Sequence, residues 1–331
     1  MSAFDKETKR NKFFETRDQE LDALIDPKTG KIAAHLTGRI NCRLCDCPDF
    51  IVLFTKNGFD FVRCRNCTLV YVNPQMKEKE MMDYYNSEAA SNDRALDFLS
   101  SPRQQEADRE LYRALFEDIR PRVPSGKLLD VGSSYGFFLK TAREMGYEVQ
   151  GLEVNERAAR YAEKNFGVPV RRKLLEECNF PGESFDIVTM FGVIEHLPRP
   201  VEVVREVGRI LKPGGLFVGR CPNVQGLVCA VLHAEARTFT GRVHINHFSE
   251  RTLRTLFAKA GFRAATIRTF VSGKDSLLNY LQFLDPFGDE TTEFLPERFQ
   301  EFLRDREKVK ALEEKLFELG LGYKFKFIAE K

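Results

Sequence analysis

Lys127-Leu-Leu-Asp-Val-Gly-Ser-Ser-Tyr-Gly-Phe-Phe-Leu139 is the stretch on which the reading of this chain turns. Leu128, Leu129 and Val131 form a short apolar, strand-like run. Gly132 to Gly136 make a turn, and Phe137, Phe138, Ala142 and Met145 then recur at helical spacing. A strand, a glycine turn and a helix in that order form the unit that holds a nucleotide at the edge of an open α/β sheet.

The pattern continues outward from this unit. Strands are expected at 127–131, 148–153, 168–172, 185–191, 215–219 and 263–270, with helices at 135–145, 155–166, 199–211 and 249–260. Such alternation implies a mostly parallel sheet covered on both faces. Residues 275–320 break it. Leu295, Phe299, Phe302 and Leu303, then Val309, Leu312, Leu316 and Phe317, fall at three- and four-residue steps and read as a helical insertion. Tyr323 to Ile328 alternate and predict a last strand, which after such a detour can join the sheet antiparallel.

Upstream, residues 39–75 carry Cys42-x-x-Cys45 and Cys64-x-x-Cys67, 18 residues apart. Each pair places two thiolates on one knuckle, and two knuckles supply four sulfurs to a tetrahedral, closed zinc site. Between them Phe50–Phe54 and Phe59–Val62 flank Asn57-Gly58, the signature of a hairpin. The expectation is a structural zinc ribbon held by Cys42, Cys45, Cys64 and Cys67, with Cys47 as a spare. Residues 1–38 read as a polar, partly ordered extension, and 76–125 as a helical linker or lid that Pro121 and Pro124 end. Residues 126–331 form the main α/β domain.

With 331 residues and a net charge of +2, the chain can bury a full core but shows no broad nucleic-acid footprint. The ribbon holds five cations and three acids between Arg39 and Pro74, so four thiolates around zinc bring it to about neutral. Nucleic acid is therefore not the expected partner. No apolar run is long enough to span a bilayer. Five of eight cysteines cluster between 42 and 67, which suits metal binding in a reducing, cytoplasmic setting better than a disulfide framework.

The glycines decide the ligand. A dinucleotide turn needs G-x-G-x-x-G, but Ser134 and Phe137 stand at the second and third positions. What remains, Asp130-x-Gly132-x-x-x-Gly136, suits a ligand without phosphates, its amino-acid tail and sulfur lying over the turn. Glu153, 23 residues after Asp130, can take two ribose hydroxyls bidentately.

With these features stand Gly151-Leu-Glu-Val-Asn155, Ser184-Phe-Asp-Ile-Val188, Val193-Ile-Glu-His-Leu197, Leu211-Lys-Pro-Gly-Gly215, Pro222-Asn223, and His244-Ile-Asn-His-Phe-Ser249 with Ala260-Gly-Phe262. Together they resemble the class I S-adenosylmethionine-dependent methyltransferases fused to an N-terminal zinc ribbon, over residues 40–331 apart from the insertion. The resemblance implies a Rossmann-like, seven-stranded α/β sheet. It implies that Asp130 and the backbone of Gly132, Ser133, Ser134 and Gly136 hold the methionine moiety. Glu153 would hold the ribose, with Phe191 near the methionine end or the adenine edge. The family often has an acid or amide where Gly192 stands and an acid where Leu174 stands. Some quinol-methylating relatives hold a divalent cation with two Glu and a His here. Gly192 removes one of those carboxylates, so no catalytic metal is expected.

For a hydroxyl acceptor a base assists methyl transfer, and histidine is the usual choice. His196 and His244 are the candidates; the competing reading of His196 is a structural contact to Glu195 or to backbone. His247 fits better as a residue preceding a helix capped by Ser249, and Cys221 as a buried thiol. The expected function is methylation of a small-molecule or carrier-linked acceptor, favoured as O-methylation of a sugar or secondary-metabolite hydroxyl. The alternatives are an RNA methyltransferase docking through its ribbon, and a non-catalytic S-adenosylmethionine-binding scaffold.

Overall fold

The computed structural model describes residues 8–87, 90–270 and 296–331; the first part of the expected helical insertion, 275–295, lies outside them. Helix α1 spans Arg10–Asp22. Strands β1 (Ile25–Asp26) and β2 (Lys31–Ile32) pair antiparallel. Leu21 and Ile32 are buried against Phe59 and Phe61, so this part of the polar extension folds onto the ribbon. The few apolar side chains of an otherwise charged segment suffice to dock it, because each fully buried one is worth roughly 1.5–3 kcal/mol.

The ribbon follows: β3 (Thr37–Gly38), β4 (Phe50–Lys56), β5 (Phe59–Cys64), β6 (Val70–Val72) and β7 (Gln75–Met76), with β7 returning to β3. Asn57 and Gly58 both have positive φ, 49° and 77°, as a two-residue hairpin turn requires. Helices α2 (Glu78–Asn86), α3 (Ala90–Leu99) and α4 (Pro102–Ile119) fill the expected helical stretch. Pro102 at the first turn and the Ser101 hydroxyl, accepting from the Gln104 amide, start α4.

The main domain then runs β8 (Lys127–Val131), α5 (Phe137–Glu144), β9 (Glu148–Leu152), α6 (Glu156–Phe166), β10 (Val170–Arg171), β11 (Phe185–Phe191), α7 (Pro200–Ile210) and β12 (Leu211–Pro222). It continues with α8 (Leu227–Leu232), β13 (Asn246–His247), α9 (Glu250–Ala260), β14 (Ala264–Phe270), α10 (Glu297–Arg304), α11 (Arg306–Glu318) and β15 (Lys324–Glu330). The sheet order is β10-β9-β8-β11-β12-β15-β14. Strands β10 to β12 are parallel, and β15 is antiparallel to both its neighbours, β12 and β14. Strand β12 starts earlier than predicted, because Leu211 already pairs with Phe185 before a register shift absorbs Pro213-Gly214.

Both faces of the sheet are buried. Leu129, Val131, Val188 and Phe217 pack with Val204, Val207, Leu253 and Phe257 of α7 and α9. Leu128, Ile187, Leu216 and Val218 pack with Phe116, Phe138, Leu139 and Ala162 of α4 to α6. The ribbon is joined to this body. Its sheet, β13-β6-β5-β4, takes its fourth strand from residues 246–247, and Val62, Tyr71 and Leu69 share one core with Leu129 and Val188. Chain order moves from β8 to one side and resumes with β11 on the other. The carboxyl ends of β8 and β11 are thus the switch point where such sheets open a crevice.

Candidate active site

At that point the glycine turn is held in a form that side chains would block. Gly132 and Gly136 have φ of 74° and 78°. A Cβ at Gly132 would meet Val193 Cγ2 at 2.5 Å, and one at Gly136 would meet Ala162 Cβ at 2.5 Å. The Gly132 and Ser133 amides both donate to the Leu152 carbonyl, at 2.8 and 2.9 Å, tying the turn to β9. Glu153 closes it from the other side. Its Oε2 accepts from the Ser134 amide at 2.8 Å, and its Oε1 from the Asn155 amide at 2.7 Å. Burial raises the Glu153 pKa, and these amides oppose the rise. Each oxygen keeps a further lone pair for a hydroxyl donor. Asp130 is buried and accepts from the Thr189 hydroxyl at 2.6 Å. Burial pushes its pKa up to about 7 against that hydrogen bond.

A cavity of about 570 Å³ opens over the turn, lined by Asp130, Gly132 to Tyr135, Glu153, Phe191 and His196. Phe191 stands at its wall, 4.7 Å from the Phe138 ring and under the Arg220 guanidinium at 4.6 Å. The sequence reading missed the polar wall that α4 supplies. Gln104 is fully buried, donates to Asp108 Oδ2 at 2.6 Å and has no hydrogen-bond partner for Oε1 among the described residues. Gln104, Asp108 and Tyr112 sit at four-residue steps and line the cavity with Arg220. A signal existed: those polar positions continue the face that carries Phe116 and Ile119 into the core.

The two predicted histidines, 48 positions apart in the chain, come together with ring centroids 4.9 Å apart. His196 ends a 3-10 turn, Ile194–His196, and its Nδ1 lies 2.8 Å from the Tyr85 hydroxyl. His244 Nδ1 is 2.9 Å from the Thr238 carbonyl, which can only accept. That nitrogen therefore carries the proton, and Nε2 keeps its lone pair 4.0 Å from Glu195 Oε1. Burial drives His196 well below the usual histidine range and His244 down to about 4, so both imidazoles are neutral at pH 7. Glu195 is buried, its Oε2 has no hydrogen-bond partner among the described residues, and burial pushes its pKa up to about 8. Tyr85 is a further residue the sequence reading missed. Its carbonyl accepts from Asn155 Nδ2 at 2.6 Å, so Glu153, Asn155, Tyr85 and His196 form one connected series. Donor atoms of Glu195, His196 and His244 lie within 4.8 Å of one another, a set that can also hold a cation; His244 supplies a donor where Gly192 offers none.

His247 is elsewhere, buried in β13 between the Phe61 and Phe239 rings at 5.3 and 4.9 Å. Cys221 is buried, and that burial raises its thiol pKa far above the reactive range. The four ribbon cysteines converge, with Cys42 and Cys67 sulfurs 3.4 Å apart and Cys45 and Cys64 sulfurs 3.5 Å apart. Zinc–sulfur bonds of about 2.3 Å in a tetrahedron need edges of about 3.8 Å, so the set fits zinc with little contraction or expansion. Cys47 is turned to the Asp49 carbonyl and stands outside the set.

The fold is that of class I S-adenosylmethionine-dependent methyltransferases. Residues 101–267, about half of the chain, match a family described as a methyltransferase domain, and the chain belongs to that family. It is 33% identical over 128 residues to a ubiquinone biosynthesis O-methyltransferase of Hahella chejuensis, covering 36% of this chain and 54% of that one. It is 32% identical over 132 residues to the protein of that name from Thiobacillus denitrificans, covering 37% and 56%. The chain thus spans about half the length of the curated relatives it matches. The plantazolicin methyltransferase BpumL, solved in complex with SAH, shares the fold with a TM-score of 0.51 at 12% identity, over 76% of this chain and 93% of that one. Among the described residues no helix is long and apolar enough to cross a membrane.

Proposed function

We propose that the protein moves the methyl group of S-adenosylmethionine to a hydroxyl of a small-molecule or carrier-linked acceptor, with a sugar or secondary-metabolite hydroxyl favoured. The observation that carries this reading is the neutral His196–His244 pair in and beside the cavity that the glycine turn, Asp130 and Glu153 enclose. The sulfonium of the cofactor supplies an activated methyl and a neutral leaving group. The chain's own part is alignment, a drier cleft and a proton acceptor. Glu153 takes the ribose hydroxyls, Asp130 and the backbone of Gly132, Ser133, Ser134 and Gly136 take the amino-acid end, and Phe191 packs beside it. His196 or His244 accepts the hydroxyl proton, for which a neutral imidazole is the competent form. Zinc on Cys42, Cys45, Cys64 and Cys67 holds the ribbon in shape, and the reduced cysteines suit a cytoplasmic setting.

Titration calorimetry with S-adenosylhomocysteine tests the cofactor half, and methyl transfer across a panel of hydroxylated acceptors tests the other. Absence of binding would end the proposal. A second reading has its own support in the unpartnered Glu195 Oε2: a divalent cation on Glu195, His196 and His244 could ionise the acceptor in place of a base. Activity that disappears on chelation and returns with magnesium would select it.

A further inference from the structure

A second cleft, of about 590 Å³, lies between the knuckle Ile40–Asp46, the first turns of α7 and Lys259 of α9. We propose that this cleft is an anion site, built for a phosphate or diphosphate group that the methyl acceptor carries. The proposal rests on the methyl-transfer reading above and adds to it the chemical class of the acceptor.

Charge is the first argument. Arg43, Arg199, Arg205 and Lys259 line the cleft against two acids, Asp46 and Glu202. Among the described residues none of these four cations pairs with a carboxylate. Their protein partners are weak: Arg43 reaches Gln75 Oε1 at 3.5 Å, and Arg205 reaches the Lys259 carbonyl at 3.4 Å. Arg43 Nε is buried with no acceptor among the described residues. Guanidinium groups favour bidentate oxyanions, and one left without an acceptor gains most from an incoming one.

Backbone is the second. Helix α7 opens on this cleft with Arg199 as an N-cap that makes no side-chain hydrogen bond, and Pro200 follows. Uncapped amides at the start of an eleven-residue helix add donors and positive potential where the cations already stand.

Position is the third. Pro198 and Arg199 form a shared wall, lining both this cleft and the cofactor cavity. They stand two and three residues after His196 in the chain. An acceptor whose hydroxyl meets His196 can therefore extend over Pro198 toward the knuckle. The ribbon as a whole is near neutral, yet its knuckle face contributes Arg43 to this junction. This gives the ribbon a share in recognition beyond its own folding.

The rival explanation is that the cations only balance the thiolates of the knuckle. Titration of the zinc-replete, S-adenosylhomocysteine-loaded protein with pyrophosphate separates the two. The expected result is binding that weakens about tenfold or more in Arg43→Gln and in Arg205→Gln, and that also weakens as salt rises from 50 to 200 mM. Both variants should keep the wild-type affinity for S-adenosylhomocysteine, which also shows that they fold. Wild-type protein that takes S-adenosylhomocysteine but not pyrophosphate would overturn this proposal alone and leave the cofactor reading standing. Pyrophosphate affinity equal in wild type and both variants would overturn it too, as adventitious binding elsewhere.

Discussion

Tyr85 and His196, 111 positions apart, meet with 2.8 Å between the phenol oxygen and Nδ1. The contact engages Nδ1 and leaves Nε2 for the proton transfer proposed above, and through Asn155 it ties the ring to Glu153. His196→Asn should lower kcat by roughly 10²–10⁴, the usual share of general-base catalysis. Tyr85→Phe should lower kcat by a smaller factor, on the order of tenfold, with cofactor affinity unchanged. Steady-state kinetics together with calorimetry check both. A Tyr85→Phe enzyme with wild-type kcat would remove the phenol from the mechanism.

The same burial that neutralises the histidines predicts the pH profile. His244 is held down to about 4 and His196 well below its usual range, so protonation of either base belongs below the ordinary histidine value. Turnover at saturating substrate should show no acidic limb at the ordinary histidine value, whereas Glu195, which burial raises to about 8, titrates above it. An acidic limb at the ordinary histidine value near 6.5 would show that neither buried imidazole is the base.

Glu153→Ala should weaken S-adenosylhomocysteine binding by a factor of roughly ten to several hundred, since a hydrogen bond to a charged group is worth about 1.5–3 kcal/mol. The variant also loses the acceptor for the Ser134 and Asn155 amides, so Glu153→Gln is the milder control. Unchanged affinity in both would place the ribose elsewhere.

Asp130 links cofactor binding to pH. Burial raises its pKa to about 7, while the ammonium of the cofactor would favour the carboxylate and lower it. Binding therefore releases a proton below pH 7, and affinity should rise as pH climbs toward 7 and then level off. Calorimetry in two buffers of different ionisation enthalpy reads the proton directly. Asp130→Asn should abolish the dependence.

Metal analysis should find close to one zinc per chain, and Cys64→Ser should lose it. Since Cys42, Cys64, Val62 and Tyr71 lie in one core with Leu129 and Val188, the loss should lower the melting temperature of the whole chain rather than of the ribbon alone. A main transition left at the wild-type temperature would mean the ribbon is energetically separate.

The alternating strands and helices were legible in sequence because apolar periodicity is local, and the edges of β8, β11 and α6 fell within one or two residues of the reading. The turn was legible for a related reason: a positive φ and a contact 2.5 Å away leave only glycine at 132 and 136. The polar face of α4 was only faintly legible, in its four-residue continuation of the face that carries Phe116. Gln104 and Asp108 look like solvent-facing residues in a polar helix until the cavity is seen on that side. Strand β13 was hidden as well, since two residues carry no period and their partners are Val70 and Tyr71.

Local chemistry, then, came from the chain itself: the non-phosphate glycine turn, the carboxylate after the second main-domain strand, and the paired cysteine knuckles. All three are short-range patterns whose geometry is set by neighbouring residues. What only the tertiary structure decided is which distant groups share a cavity. Tyr85 from α2, His196 after β11 and His244 before β13 come together because the ribbon sheet borrows β13 and packs beside the switch point. Periodicity cannot report such a meeting, because long-range pairing depends on the summed burial of the whole core rather than on any residue near the site.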